Sequence, residues 1–218
     1  MSIKNLLIVT VLVVSFQQLT AQRNFDEYNR LGITGGLTLF DINTSDFTTK
    51  QGQGFTGGFT TRGSFRNGFD LIYGINFIQS NIEILASDVT ESRNLEYSII
   101  GAQINFLASL NIVEHHLSLE FGPILNVNGK MKLKDEAYEN YILDGYTTVR
   151  AQDIEDISSF NFRLMGGLTA GLKSFRLGAH YQYGLTNMLN NLNEKDISEF
   201  EDVKGNSSTF IISAVLYF

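Results

Sequence analysis

The sequence has no cysteine, no tryptophan, a single proline and no apolar run as long as a membrane-spanning helix. Without cysteine there can be no disulfide, no thiolate metal site, no cysteine nucleophile and no lipid-modified N-terminal cysteine. Basic residues are scarce too. Lys and Arg number 16 against 23 Asp and Glu, a net charge of -7, and they form no basic stripe, so counterion release from nucleic acid or an anionic surface has no source here. What the 218 residues do hold is 43% hydrophobic residues, 20 Gly, 17 Phe and 9 Tyr, the composition of one folded domain.

Residues 1–21 read as a cleaved secretory signal, with Lys4, an apolar run from Leu6 to Val14 and a small residue, Ala21, before the expected cut. The run is roughly half a membrane helix. A mature chain that enters a membrane would therefore do so as strands.

After a lead-in at residues 22–30, short stretches of alternating polarity repeat over 31–218. In the first, Leu31, Ile33, Leu37 and Leu39 share a face. The second aligns Phe55, Gly57, Phe59 and Thr61, and the third Phe69, Leu71, Tyr73, Ile75 and Phe77. The fourth changes phase: Leu95, Tyr97 and Ile99 alternate on one face, Ile100, Ala102, Ile104, Phe106 and Ala108 on the other, and a bulge near Gly101 would reconcile them. The fifth carries Leu117 to Val127, the sixth Phe160 to Ala170 and the seventh Phe175 to Leu185. The eighth sets Phe210, Ile212, Ala214, Leu216 and Phe218 on one face. A strand at the very end of the sequence must have its edge covered, and the first strand is the natural partner.

Link lengths alternate. "DINTSDFTTKQGQ", "QSNIEILASDVTESRN", residues 128–158 and residues 187–207 are long, while the links between them are short. Only "DEAYENYI" offers even a weak helical window. The expected fold is all-β: an eight-stranded antiparallel transmembrane barrel of the outer-membrane type, with short turns and both termini on the periplasmic side. Aromatic residues on the apolar face gather in two belts, Phe55, Phe77, Tyr97, Phe160, Phe162, Tyr183 and Phe210 at the long-loop end and Phe69, Phe106, Phe175 and Phe218 at the other, as membrane interfaces favour. The opposite face is mostly Gly, Thr, Ser and Asn, too poor in charge for the water-facing wall of a soluble barrel.

That polar face carries Arg62, Asp70, Glu120, Arg163, Arg176 and His180. In a barrel this small they are expected as paired charges filling the lumen, with Arg163 and Arg176 held by Glu120 and Asp70 and no open pore. His116 and Ser118, two apart, have the spacing of a base and a hydroxyl nucleophile, but the topology puts both on the lumen face with no carboxylate to orient the imidazole. The acidic loops "DEAYENYILDGY", "QDIEDIS" and "NEKDISEFED" read as a solvated rim, with divalent cations or protein contact through Tyr138, Tyr141 and Tyr146 as the sharper alternatives. No enzyme, cofactor or resident metal is expected.

Two short motifs carry a resemblance. "LEFGPIL", with Gly122 and Pro123, and "HYQYGLTNM", with Tyr181, Gly184, Leu185 and Asn187, resemble the PorT-type outer-membrane barrels common in Bacteroidetes, with His180 where arginine is usual there and Gly101 where that family tends to have an Ile-Pro pair. The resemblance implies the outer membrane of a Gram-negative bacterium and outer-membrane lipid as surroundings. It also implies a non-enzymatic scaffold or partner-binding role, linked by the family's name to type IX secretion or gliding, with envelope proteins as partners. A barrel that binds a small solute through its lumen or loops is the alternative. Oligomeric state is not set by these residues.

Overall fold

A computed structural model describes residues 28–66 and 68–218. The expected signal at 1–21, and residues 22–27 of the lead-in, lie outside the described residues. Ten strands follow in order: β1 (Asn29–Asn43), β2 (Thr49–Arg66), β3 (Phe69–Ser87), β4 (Ser92–Val113), β5 (Leu117–Asn128), the two-residue β6 (Lys132–Leu133) and β7 (Ile142–Leu143), then β8 (Phe160–Gly171), β9 (Phe175–Gly184) and β10 (Asn206–Tyr217). The eight long strands form one antiparallel ring in which each pairs with its neighbour in sequence, and β10 returns to β1. That closing ladder runs from Gly32↔Tyr217 to Asn43↔Asn206, and Phe218 donates its N–H to Leu31 O at 2.9 Å. The final strand thus covers its edge with the first.

Outward positions are apolar and exposed all round the ring, among them Leu37, Phe59, Ile75, Ile104, Phe121, Leu168, Leu177, Ile212 and Leu216. Such a band is stable only against lipid, and strands make the crossing, since no helix among the described residues is long and apolar enough to do so. Pro123 faces outward on β5. The β4–β5 ladder lapses across Gly122 and Pro123 and resumes in the same register, because proline has no N–H to donate. At Gly122 a Cβ would stand 2.1 Å from Phe106 O, so only glycine allows this approach of β5 to β4.

The fourth strand holds no bulge at Gly101. Its pairing with β3 is unbroken from Phe69↔Leu110 to Ser87↔Ser92. What changes at that height is the surroundings. Below it the outward residues Ile100, Ile104 and Phe106 meet lipid; above it the inward residues Leu95, Tyr97 and Ile99 are buried in a second apolar core. Strands β1 and β3 switch in the same way, from outward Leu39 and Phe77 to inward Phe40, Ile42, Ile82 and Ile84. Tyr97 is therefore no girdle residue: it is fully buried and donates its hydroxyl to Ala151 O at 3.0 Å.

The same switch redraws the links. The first two long links are mostly strand, leaving turns at only 44–48 and 88–91. The other two, residues 129–159 and 185–205, fold over the barrel mouth and fill it with Met131, Leu143, Val149, Ile154, Ile157, Met188, Leu189, Leu192, Phe200 and Val203. Each fully buried side chain of this size contributes about 1.5–3 kcal/mol. The helical window yields only a single 3-10 turn, Glu136–Tyr138.

Two single-tryptophan variants test this division of the barrel in a chain with no other indole. Ile75→Trp is expected to be quenched strongly by lipids brominated on their tails, and Tyr97→Trp to emit at short wavelength without that quenching. Equal quenching of the two would mean that the upper part of β4 also lies in lipid.

Candidate functional site

The lumen is organised around one carboxylate. Glu120, inward from β5, accepts from Arg62 Nη2 and from Thr169 Oγ1 (2.7 Å) through Oε1, and meets His180 Nε2 at 2.9 Å through Oε2. Arg62 also donates from Nη1 to Asp70 Oδ2 (2.9 Å) and Ser109 Oγ (3.0 Å). The four charged or titratable side chains come from β2, β3, β5 and β9, and all are at least 96% buried. Low dielectric makes each of these contacts strong and each unpaired group costly.

The expected pairing of Arg163 and Arg176 with Glu120 and Asp70 is not what forms. Arg62 takes both carboxylates, because its strand lies beside β3 and its side chain reaches across the ring to β5. Arg176 instead uses neutral acceptors, Ser118 Oγ (2.9 Å), Thr169 O (3.1 Å) and His115 O (3.1 Å). Arg163 lies higher, with its guanidinium carbon 6.0 Å from the centre of the Phe40 ring and no salt bridge among the described residues. Sequence periodicity places a residue on a face but cannot say which opposite charge it reaches.

His116 and Ser118 are not a pair. His116 sits exposed in the turn at 114–116 with Nδ1 2.8 Å from Glu114 O, whereas Ser118 is fully buried and donates to Asn111 Oδ1 at 2.8 Å. Of the motif residues, Tyr181 and Leu185 face outward and Gly184 inward. Asn187 closes the base of the last loop, donating to Val203 O (2.8 Å) and accepting from Leu189 N (3.0 Å) and Gly205 N (2.8 Å). On β10, Phe210, Ile212 and Leu216 face outward, and Phe218 beyond its end is exposed.

The space left inside is a cavity of about 60 Å³ bordered by Arg62, Glu120, Thr169, Arg176, His180 and Tyr217. It has room for about two water molecules. Above it, Gln103 and Gln182 exchange amide hydrogen bonds across the ring at 3.1 and 3.2 Å, and Asn126, Asn128 and Asn161 form a further amide chain. Among the described residues, these side chains leave only this small free space in the bore.

Sequence reading missed the apolar cap, whose signal is the phase switch shared by β1, β3 and β4. Its two loops are joined by Glu199, whose carboxylate accepts from Thr147 N (3.1 Å), Thr148 N (3.0 Å), Thr148 Oγ1 (3.1 Å) and Thr147 Oγ1. These donors, the Thr147 hydroxyl first, hold its pKa down at about 2. Among the described residues, no group of three His, Cys, Asp or Glu is placed to hold a metal ion.

Glu120→Ala is expected to lower stability by about 3–5 kcal/mol, because Arg62 keeps its burial but loses a partner. Urea midpoints of wild type and variant in micelles measure it, and a near-neutral change would show that the network is not what holds the lumen. Glu199 has its folded pKa below its unfolded value, so its contribution is full above about 4.5 and fades as pH falls toward about 2. Glu199→Gln should make the loops at 144–149 and 196–203 easier to nick with protease at neutral pH, and should abolish the acid-dependent rise in nicking between those limits.

A family model described as "Outer membrane protein beta-barrel domain" matches residues 16–190. Comparison with curated proteins finds no match. Among solved structures, neisserial surface protein A is similar at 12% identity and a TM-score of 0.47, over 86% of this chain and 97% of that one. Ail of Yersinia pestis is similar at 15% identity and 0.46, over 87% and 99%, and OprG of Pseudomonas aeruginosa at 9% and 0.48, over 88% and 97%. The family model spans well over half of the sequence, and the chain belongs to the outer membrane protein beta-barrel domain family.

Proposed function

We propose that this outer-membrane barrel is a non-enzymatic envelope scaffold that binds a protein partner through its cap, with the cap extracellular and both termini periplasmic. The observation that carries the reading is the small free space in the lumen together with the closure of its mouth. Buried ion pairs and amides occupy the lumen, and a folded apolar core closes the mouth. A channel or a lumenal catalyst has nowhere to work in such a body, while a rigid barrel with fixed loops presents a defined surface. The resemblance to PorT-type barrels supports a secretion or gliding assembly as the setting.

One feature favours a second reading, binding of a small solute. A cleft of about 190 Å³ opens on the side of the cap between β4 and the loop after β6, lined by Arg93, Leu95, Glu96, Lys134, Asp135 and Tyr138. Arg93 lies 4.5 Å over the Tyr138 ring, and Lys134 pairs with Glu96 at 2.6 Å.

Cross-linking of intact cells with a membrane-impermeant reagent, followed by gentle solubilisation and capture, tests the scaffold reading. A discrete protein partner should be recovered with wild type and lost with a variant whose cap face carries Arg93→Ala and Tyr138→Ala. Recovery of the barrel alone, or capture equal in both, would count against it. Large steady currents from purified protein in a planar bilayer would overturn the closed lumen.

A further inference from the structure

Arg163 stands where the polar lumen gives way to the apolar cap. It is 3% exposed, and neither its Nε nor its Nη1 has an acceptor from the described protein. Arg62 has two carboxylates, with only its Nε unpartnered, and Arg176 has four neutral acceptors, so Arg163 is the one of the three that meets no acceptor among the described residues. A buried guanidinium has five N–H donors, no acceptor and no accessible neutral form, so it cannot relieve its burial by losing a proton. The Phe40 ring at 6.0 Å compensates only weakly.

Its surroundings supply neutral hydroxyls and amides rather than carboxylates. Phe40 lies directly opposite Thr209 in the β1–β10 ladder, and Thr38 is two residues before Phe40 on the same face. The hydroxyls of Thr209 and Thr38 are both buried and without a protein partner. On β9 the residue opposite Arg163 is Gly184, which adds no side chain between the guanidinium and β10. Charge balance agrees. Among the described buried side chains, the three guanidiniums of Arg62, Arg163 and Arg176 face two carboxylates, Asp70 and Glu120, so the guanidiniums outnumber the carboxylates by one.

The geometry points to a site for a small monovalent anion of the chloride class at Arg163, held by Nε–H and Nη1–H with the Thr209 hydroxyl as a further donor. One such ion balances the third guanidinium and gives the unpaired donors a common acceptor. At 3% exposure the site favours a monatomic ion, the smallest acceptor that meets Nε–H and Nη1–H together. The ion is part of how the cap seats on the lumen. Its site is independent of whatever the cap binds.

The test uses the whole barrel refolded into detergent micelles, with chloride replaced by the bulky gluconate anion at constant ionic strength. The urea midpoint of wild type is expected to rise with chloride and saturate, while Arg163→Met shows no chloride-dependent rise. Thr209→Val covers the case in which Arg163→Met does not fold; it should raise the chloride concentration at half effect several-fold. Crystals grown in bromide should give an anomalous peak within hydrogen-bond distance of Arg163. A wild-type midpoint indifferent to chloride, a half-effect unchanged in Thr209→Val, or bromide bound only elsewhere would overturn the assignment.

Discussion

Hydrocarbon offers a backbone no hydrogen-bond partner, and the architecture follows from that one constraint. An open sheet would leave the N–H and C=O groups of two edge strands unpaired in lipid, so the ladder between β1 and β10 is what makes the other seven tenable. Closure at eight strands then sets the bore. A ring of that size has an interior that its own side chains fill, and charges placed there must find partners within it. Glu120 is the clearest result: one carboxylate serves Arg62, Thr169 and His180, from three other strands, because the ring brings them to a common centre.

Height along the barrel decides which face of a strand must be apolar. Lipid surrounds the lower part, so Leu39, Phe77 and Ile104 point out and Thr60, Asn105 and Gln182 point in. Past the membrane boundary the outside is water and the two long loops fold in. The same strands then turn their hydrophobic residues inward, as Phe40, Ile82 and Tyr97 do. No break in hydrogen bonding is needed for the change, because the pleat presents both faces throughout. Residues of the two loops, Leu143 and Leu192 among them, complete a core that neither strands nor loops could form separately.

This arrangement gives the molecule two unlike interiors. One is mostly polar, held by directed contacts among charges and amides around a small apolar cluster of Ile72, Leu107, Ile124 and Met165; the other is apolar and held by burial, with Glu199 fastening one loop to the other from outside. A bore occupied in this way leaves the folded cap as the surface that the long loops shape. The proposed binding is placed at the cap rather than in the bore for that reason.

Alternation with period two, four long and three short links and an apolar face without charge were enough to specify a closed membrane barrel and the inward set Arg62, Asp70, Glu120, Arg163, Arg176 and His180. Those signals are local, fixed by the pleat and by the need to face lipid. Which inward charge meets which was not legible. Arg62 reaching Glu120 from 58 residues away, Arg176 settling on neutral oxygens and Arg163 standing apart all depend on ring order and stagger, which no single strand contains. The phase change at Ile99 and Ile100 was visible as a pattern. Only the folded loops gave it a cause, since a buried apolar face and a lipid-facing one look alike in sequence until it is known what lies against them.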